Sequence, residues 1–192
     1  MTDSSSRPKP LVSVLTPSIP ERAGFLDECV ASVKAQTVTG IEHLIKVDGK
    51  RNGCSITMNE LALEAHGEWL LPLADDDLLL PRCVETLLSY ADQGDIIYAP
   101  PLVWGQPQEW FTQAPPVIPS FALIRRDVWF ELDGYDETAV REEDRKMWIK
   151  ALEHGFRFVR ADSAPTWVYR LAHGGNKSFN QGVASGPMLV AA

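Results

Sequence analysis

Short apolar runs alternate with helically periodic segments along the first half of the chain. The runs are rich in leucine and β-branched residues, which is typical of buried strands. Between them, apolar residues recur at helical spacing, as on a helix that packs on one face. The predicted strands span 11–16, 42–48, 68–74 and 95–99, and the predicted helices span 24–36, 55–67 and 81–94. This βαβαβαβ order predicts an α/β domain with a largely parallel sheet.

The alternation breaks after residue 99. Residues 100–119 hold six of the chain's 14 prolines together with Trp104 and Trp110, and a loop this long inside a compact domain is usually functional or disordered. We expect one folded domain over 11–178, a disordered leader over 1–10 and an irregular tail over 179–192. The remaining predicted strands span 120–124, 156–160 and 166–171, and the remaining helices lie near 125–132 and 142–154.

Composition narrows the class of protein. The chain has 192 residues, of which 45% are hydrophobic and 23% charged, as in soluble globular domains. A net charge of -8 with scattered Lys and Arg argues against a nucleic-acid partner. The sequence contains neither an apolar run long enough for a membrane span nor the apolar core of a signal peptide. An odd number of cysteines (Cys29, Cys54 and Cys83) without a CxxC pair predicts reduced thiols and a cytoplasmic protein.

Three consecutive carboxylates interrupt the apolar stretch "WLLPLADDDLLLPR" (69–82). This aspartate row, Asp75, Asp76 and Asp77, follows a predicted strand, and open α/β sheets bind ligands at the carboxyl ends of their strands. In extended chain, Asp75 and Asp77 would share one direction and Asp76 would point elsewhere. A hard cation such as Mg²⁺ or Mn²⁺ would neutralise the pair. Aspartate is also a common turn and helix-capping residue, so one of the three can serve only as a cap before Pro81.

Other features carry weaker signals. The sequence has no Gly-rich phosphate cradle of the P-loop or dinucleotide type. The run Glu142, Glu143 and Asp144 opens a predicted helix, where the helix dipole alone favours negative charge. The loop "YRLAHGGNKS" (169–178) carries Arg170 and His173, although a lone histidine in a loop is usually solvated.

The motifs, taken in order, resemble those of a family 2 glycosyltransferase of the GT-A fold over 11–178. "VSVLTPSIPER" resembles the opening nucleotide-binding strand and loop, and "HLIKVDGKRN" the strand ending in an aspartate that contacts the base. "EWLLPLADDDLLLP" resembles the segment ending in the Asp-x-Asp metal (DXD) motif. "REEDRKMWIKALEHGFRFV" resembles the helix with the Glu-Asp motif, and "VYRLAHGGNKS" the closing loop.

This resemblance implies a single GT-A-like domain with a mostly parallel central sheet flanked by helices. It implies transfer of a sugar, with inversion, from a nucleotide-diphosphate sugar to a hydroxyl of an unidentified glycan, lipid or protein. A divalent cation, Mn²⁺ or Mg²⁺, would stabilise the leaving diphosphate from Asp75, Asp77 and His173. Asp144 would be the catalytic base, with Glu143 beside it. The implied donor-binding residues are Thr16, Pro17, Glu21, Asp48, Asn59, Asp75, Asp76 and Arg170.

The chain departs from the family at Ala74, where members commonly carry an aspartate. Asp75 and Asp77 would then form the metal motif, and the assignment between Asp76 and Asp77 stays open. Two other functions also stay open. One is a non-catalytic module of the same fold that binds a nucleotide sugar or a glycan. The other is a sugar-1-phosphate nucleotidyltransferase, although the Gly-rich loop of that class is absent from "TPSIPER".

Overall fold

A computed structural model describes residues 9–104, 120–139 and 142–170. Most of the predicted leader and all of the predicted tail lie outside these residues. No described helix is long and apolar enough to cross a membrane. The strands are β1 (Val12–Ser18), β2 (Ile41–Val47), β3 (Trp69–Pro72), β4 (Leu78–Leu79), β5 (Ile96–Tyr98), β6 (Pro101–Trp104), β7 (Leu123–Arg125), β8 (Phe158–Arg160) and β9 (Trp167–Arg170). The helices are α1 (Ala23–Lys34), α2 (Cys54–Glu64), α3 (Cys83–Leu88), α4 (Arg126–Glu131) and α5 (Glu143–Glu153).

The main sheet has six strands in the order β2-β1-β3-β7-β5-β8. β1 runs parallel to β2 and β3, and β5 runs parallel to β8. Only β7 is reversed, pairing antiparallel with β3 and β5. The prediction of an α/β domain with a mostly parallel sheet is therefore confirmed.

Successive side chains of a strand point to opposite faces of the sheet, and helices cover both faces here. Leu15 and Leu70 pack in one apolar cluster with residues of α2, α4 and α5. Val14 and Leu71, the adjacent residues, pack in the other cluster with residues of α1 and α3. This alternation places helices on both faces and leaves the strand ends as the open edge.

A second, three-stranded sheet has the order β4-β9-β6. The prediction of a loop over 100–119 was wrong at its start, because Pro101–Trp104 form β6. Residues 105–119 lie outside the described part of the chain. β6 pairs in parallel with β9 at the edge of this sheet, with Pro101 as its first residue, a position where proline is tolerated. Helix α3, predicted to reach residue 94, ends at Leu88 and continues as tight turns.

Candidate functional site

The ends of β1, β2 and β3 converge at one edge of the main sheet. Ser18, the last residue of β1, joins the other two ends. Its carbonyl oxygen accepts a hydrogen bond from the Asp48 amide (2.7 Å), directly after β2. Its hydroxyl donates to Asp75 Oδ2 (2.6 Å), just beyond β3. Asp48 and the aspartate row therefore meet at the carboxyl ends of neighbouring strands, where open α/β sheets bind ligands.

The aspartate row is buried, with exposed fractions of 2% for Asp75, 8% for Asp76 and 2% for Asp77. The Arg22 side chain supplies a counter-charge: its Nε lies 3.2 Å from Asp75 Oδ1, and its Nη2 contacts Asp76 Oδ2. Asp77 Oδ1 accepts a hydrogen bond from the Arg170 backbone amide (3.1 Å). The guanidinium therefore neutralises one end of the row, and a backbone amide holds the other.

The expectation of an extended row was wrong. The Asp77 amide donates to the Ala74 carbonyl (3.1 Å), which closes a turn over residues 74–77. The turn brings Asp75 and Asp76 to the same guanidinium and leaves Asp77 facing Arg170. Adjacent residues share a partner here because the chain is not in the pleated geometry that alternates side chains.

Two carboxyl groups of the row, those of Asp75 and Asp77, have pKa values above that of an ordinary aspartate. Burial raises the pKa of Asp75, against the lowering effects of the Ser18 hydroxyl and of Arg22. Burial also raises the pKa of Asp77 well above its ordinary value, and the charge of Asp76 raises it further. Such a cluster favours an additional cation.

The ligand atoms of the row suit a divalent cation, since Mg²⁺ and Mn²⁺ prefer carboxylate oxygens. Its arrangement is closed, because Arg22 lies on two of the three carboxylates. Among the residues that the structure describes, no three His, Cys, Asp or Glu side chains form a group that could hold a metal. The predicted ligand His173 lies outside the described residues.

Asp48 uses both carboxylate oxygens to close its own loop. Oδ1 accepts from the Lys50 amide (3.1 Å) and Oδ2 from the Gly53 amide (2.9 Å). These backbone hydrogen bonds lower the pKa of Asp48, with that of Gly53 contributing most. Across the mouth of the site, Arg51 donates to Glu21 Oε1 (2.6 Å), so the loop after β2 is tied to the segment after β1.

Three of the predicted donor-binding residues lie away from the open edge or have internal partners. Thr16 is fully buried, and its hydroxyl bonds His43 Nε2 (2.9 Å), whose pKa burial lowers to about 4. Pro17 continues β1 opposite Lys46. The amide of Asn59 clamps the turn after α4 to α2, accepting from the Tyr135 amide and donating to the Tyr135 carbonyl, both at 2.9 Å.

The clamp depends on Gly134. Its φ of +65° is unfavourable for other residues, and an added Cβ would lie 2.4 Å from Asn59 Oδ1. The "DGYD" turn of the sequence is therefore a contact between α2 and the chain that leads to α5.

The carboxylates at the start of α5 have a different environment. Asp144 is half-buried and accepts a hydrogen bond from the Arg145 amide (2.8 Å). Burial raises its pKa to about 6. Burial raises the pKa of Tyr135 too, and the charges of Asp144, Cys54 and Glu143 raise it further. These groups therefore lie close together, and Cys54 directly follows the loop that Asp48 closes.

Arg22 and Ser18 are the site residues that the sequence analysis missed. Arg22 follows β1 in a single turn of 3₁₀ helix (Pro20–Arg22). The sequence signal for Arg22 was a single basic residue in the loop after the first strand. That loop lies at the same edge of the sheet as the aspartate row. Arg170 was predicted as a donor-binding residue. In the structure its guanidinium contacts Glu28 and lies 5.5 Å from the Phe25 ring centre.

No protein-family model and no curated protein sequence matches the chain. Solved structures do match. S. aureus TarS in complex with UDP-GlcNAc has a TM-score of 0.70 at 16% identity, covering 85% of this chain and 59% of that one. TarS in complex with UDP has a TM-score of 0.69 at 16% identity, with 83% and 60% covered. The mannosyltransferase PcManGT from Pyrobaculum calidifontis, in complex with GDP-Man and Mn²⁺, has a TM-score of 0.66 at 16% identity, with 90% and 60% covered.

These similarities establish the fold: a GT-A-like glycosyltransferase fold, as the motifs predicted. The chain spans about 60% of the length of the solved structures that it matches. The resemblance to family 2 glycosyltransferases is thereby confirmed at the level of the fold.

Proposed function

We propose that this protein is a glycosyltransferase that moves a sugar from a nucleotide-diphosphate sugar to an acceptor hydroxyl, with inversion and with Mn²⁺ or Mg²⁺. One observation carries the proposal. A buried row of three aspartates lies beside Asp48 at the open sheet edge, in a fold shared with proteins solved with UDP, UDP-GlcNAc and GDP-Man.

The donor would bind along that edge. Asp48 and Glu21 would border the nucleotide, with Thr16, Pro17 and Asn59 supporting the strand and turn beneath it. Asp77, with Asp75 or Asp76 and with His173, would hold the divalent cation. That cation would act as a Lewis acid on the leaving diphosphate. Arg170, whose amide already holds Asp77, would add positive charge near the same group.

Asp144 would take the acceptor proton. The acceptor oxygen forms its bond to the anomeric carbon as the bond to the nucleoside diphosphate breaks, and the proton passes to the carboxylate. A base is most effective when its pKa is near the working pH, and the pKa of Asp144 is about 6. Glu143 would orient the acceptor or a neighbouring group.

A transfer assay tests the proposal. The protein is incubated with Mn²⁺, a panel of UDP- and GDP-sugars and a panel of hydroxyl acceptors, and both nucleoside diphosphate and glycosylated product are measured. We expect product to form with at least one donor and to disappear in chelator. Donor binding without turnover would indicate the non-catalytic module instead, and pyrophosphate release from a nucleoside triphosphate would indicate the nucleotidyltransferase.

We also propose a cytoplasmic location. It is supported by Cys29 and Cys83, which are buried and form no disulfide within the described part of the chain.

A further inference from the structure

Arg22 occupies the position in the aspartate row where a cation would be expected. Its side chain is 23% exposed, whereas those of Asp75 and Asp76 are 3% and 11% exposed. The guanidinium therefore lies between the buried carboxylates and the solvent side of the site. Any cation that approaches Asp75 and Asp76 from solvent meets Arg22 first.

The contact is held by charge rather than by directed hydrogen bonds. Nε and Nη2 lie at ion-pair distance from the carboxylates, yet both are buried without an aligned acceptor among the described residues. Arg82 shows the contrast, because its Nε and Nη2 each donate an aligned hydrogen bond to Glu85, at 3.0 Å and 3.2 Å. The contact therefore lacks the additional strength that aligned, charge-assisted hydrogen bonds would give it.

The guanidinium also lies near an aromatic ring while it contacts the carboxylates. The Arg22 guanidinium carbon is 5.9 Å from the ring centre of Phe25, at the outer range of a cation–π contact. Arg22 also sits in a single exposed turn between β1 and α1. The side chain can therefore leave the carboxylates without unfolding a helix or a strand.

We propose that Arg22 is an internal counter-cation of the aspartate row, which a divalent cation must displace in order to bind. The inference rests on the proposed function, since it gives that site a resident competitor for its metal. In the donor-free protein Arg22 is the positive charge nearest to Asp75 and Asp76 among the ion pairs of the described residues. When the metal binds, the guanidinium moves outward, to the side from which the donor's diphosphate would arrive.

A titration of the donor-free protein with Mn²⁺, followed by the electron paramagnetic resonance signal of free Mn²⁺, tests this exchange. Arg22→Gln removes the competitor, and we expect it to bind Mn²⁺ about tenfold more tightly than the wild type. Arg22→Lys keeps the charge but cannot contact both carboxylates at once, so it should bind Mn²⁺ at least as tightly as the wild type and less tightly than Arg22→Gln. Arg82→Gln removes an arginine charge from an exposed ion pair away from the row, and should leave the Mn²⁺ affinity unchanged.

Thermal unfolding supplies a second readout. Without metal, Arg22→Gln removes the guanidinium from Asp75 and Asp76 and should unfold at a lower temperature than the wild type. Added Mn²⁺ should raise the unfolding temperature of Arg22→Gln by more than it raises that of the wild type. If Arg22 only stabilised the fold, Arg22→Gln would lower the unfolding temperature by the same amount with and without Mn²⁺.

Unchanged or weaker Mn²⁺ binding by Arg22→Gln would overturn the inference, as would the absence of Mn²⁺ binding in every variant. If Arg22→Gln does not fold, the test uses Arg22→Lys, because the lysine cannot contact both carboxylates as the guanidinium does. The inference would then be overturned if the wild type bound Mn²⁺ more tightly than Arg22→Lys. No donor is used, so failure of sugar transfer alone would count against the proposed function and leave this inference standing.

Discussion

The aspartate row and the start of α5 each contain three consecutive carboxylates, and the two groups have different partners. In the row, a guanidinium lies on two carboxylates and a backbone amide holds the third. At α5, Glu142 is exposed and pairs with Arg145 (3.5 Å), whereas Asp144 is half-buried and accepts only a backbone hydrogen bond from Arg145 among the contacts that we observe.

The difference separates two kinds of chemistry. The carboxylates of the row gather beside one guanidinium, and their oxygens are the ligands that a further hard cation prefers. A carboxylate that is buried without a cation binds its proton more tightly, and the pKa of Asp144 rises to about 6. The row is therefore suited to binding a metal, and Asp144 to exchanging a proton near neutral pH.

The largest effect that this comparison predicts is on transfer by Asp144→Asn. The variant keeps the shape of the side chain and removes the base, so we expect transfer to fall by roughly 10²–10⁴-fold. Donor affinity should stay near that of the wild type. The measurement is initial-rate transfer together with donor titration, and the matched control is Glu142→Gln, which removes an exposed carboxylate of the same run.

Residues 143 and 144 lie about 100° apart on a helix, so they are not expected to face the same acceptor hydroxyl. If transfer survives in Asp144→Asn but is lost in Glu143→Gln, the base is Glu143. If both variants transfer normally, the start of α5 has no catalytic role and the comparison fails.

The next effect is on the row. Asp77→Asn keeps an oxygen for the Arg170 amide but removes the carboxylate of a position that is 2% exposed. With Mn²⁺ present, we expect donor affinity to fall by about 10–100-fold, as for a lost metal contact. Calorimetric titration with Mn²⁺ and with chelator measures it. Equal donor affinity in the two conditions for the wild type would contradict a metal-binding row.

Much of the fold follows from local pattern. The strands ending near Ser18 and Pro72 were predicted because their apolar runs are buried on both faces. β4 and β6 were not, because each is a short segment that becomes a strand only by pairing with β9, far along the chain. Their own sequences, one flanking the aspartates and one rich in proline, favour other structures.

The site divides in the same way. The meeting of Asp48 and the aspartate row was predictable, because the carboxyl ends of parallel strands share an edge. The partners of individual side chains were not, since they lie far apart in sequence: Arg22 on Asp75, and Tyr135 on Asn59. The turn that directs two aspartates to one arginine was likewise invisible in a run of identical residues.

A single carboxylate outside both runs sharpens the comparison. Asp48 lies alone at its strand end, and its oxygens already bond Lys50 and Gly53. If it also accepts a hydrogen bond from the nucleotide base, Asp48→Asn should weaken nucleotide binding by about tenfold, as for a charged hydrogen-bond acceptor. Nucleotide titration measures this, with thermal unfolding as the control for loop stability. Unchanged affinity would mean that Asp48 only shapes its loop.

The smallest predicted effect is on stability, and it has a definite sign. Because the folded pKa of Asp144 is about 6 and its ordinary value is 3.8, the folded state holds more protons between those values. The wild type therefore loses stability as the pH rises through that window, and Asp144→Asn does not. Above about pH 6 the variant should be more stable by about 1 kcal/mol, a value reduced from the full shift because the side chain is half-exposed.

Urea unfolding of wild type, Asp144→Asn and Glu142→Gln at a series of pH values from 4 to 7.5 would measure this difference. For Asp144→Asn we expect the gain to be near zero at pH 4 and to grow to its full size above pH 6. Glu142→Gln should show no such growth, because its carboxylate is exposed and paired with Arg145. A gain for Asp144→Asn that is the same at every pH would mean that the variant packs better for reasons unrelated to charge. Asp144 would then titrate like an ordinary surface aspartate, and the contrast between α5 and the aspartate row would lose its electrostatic basis.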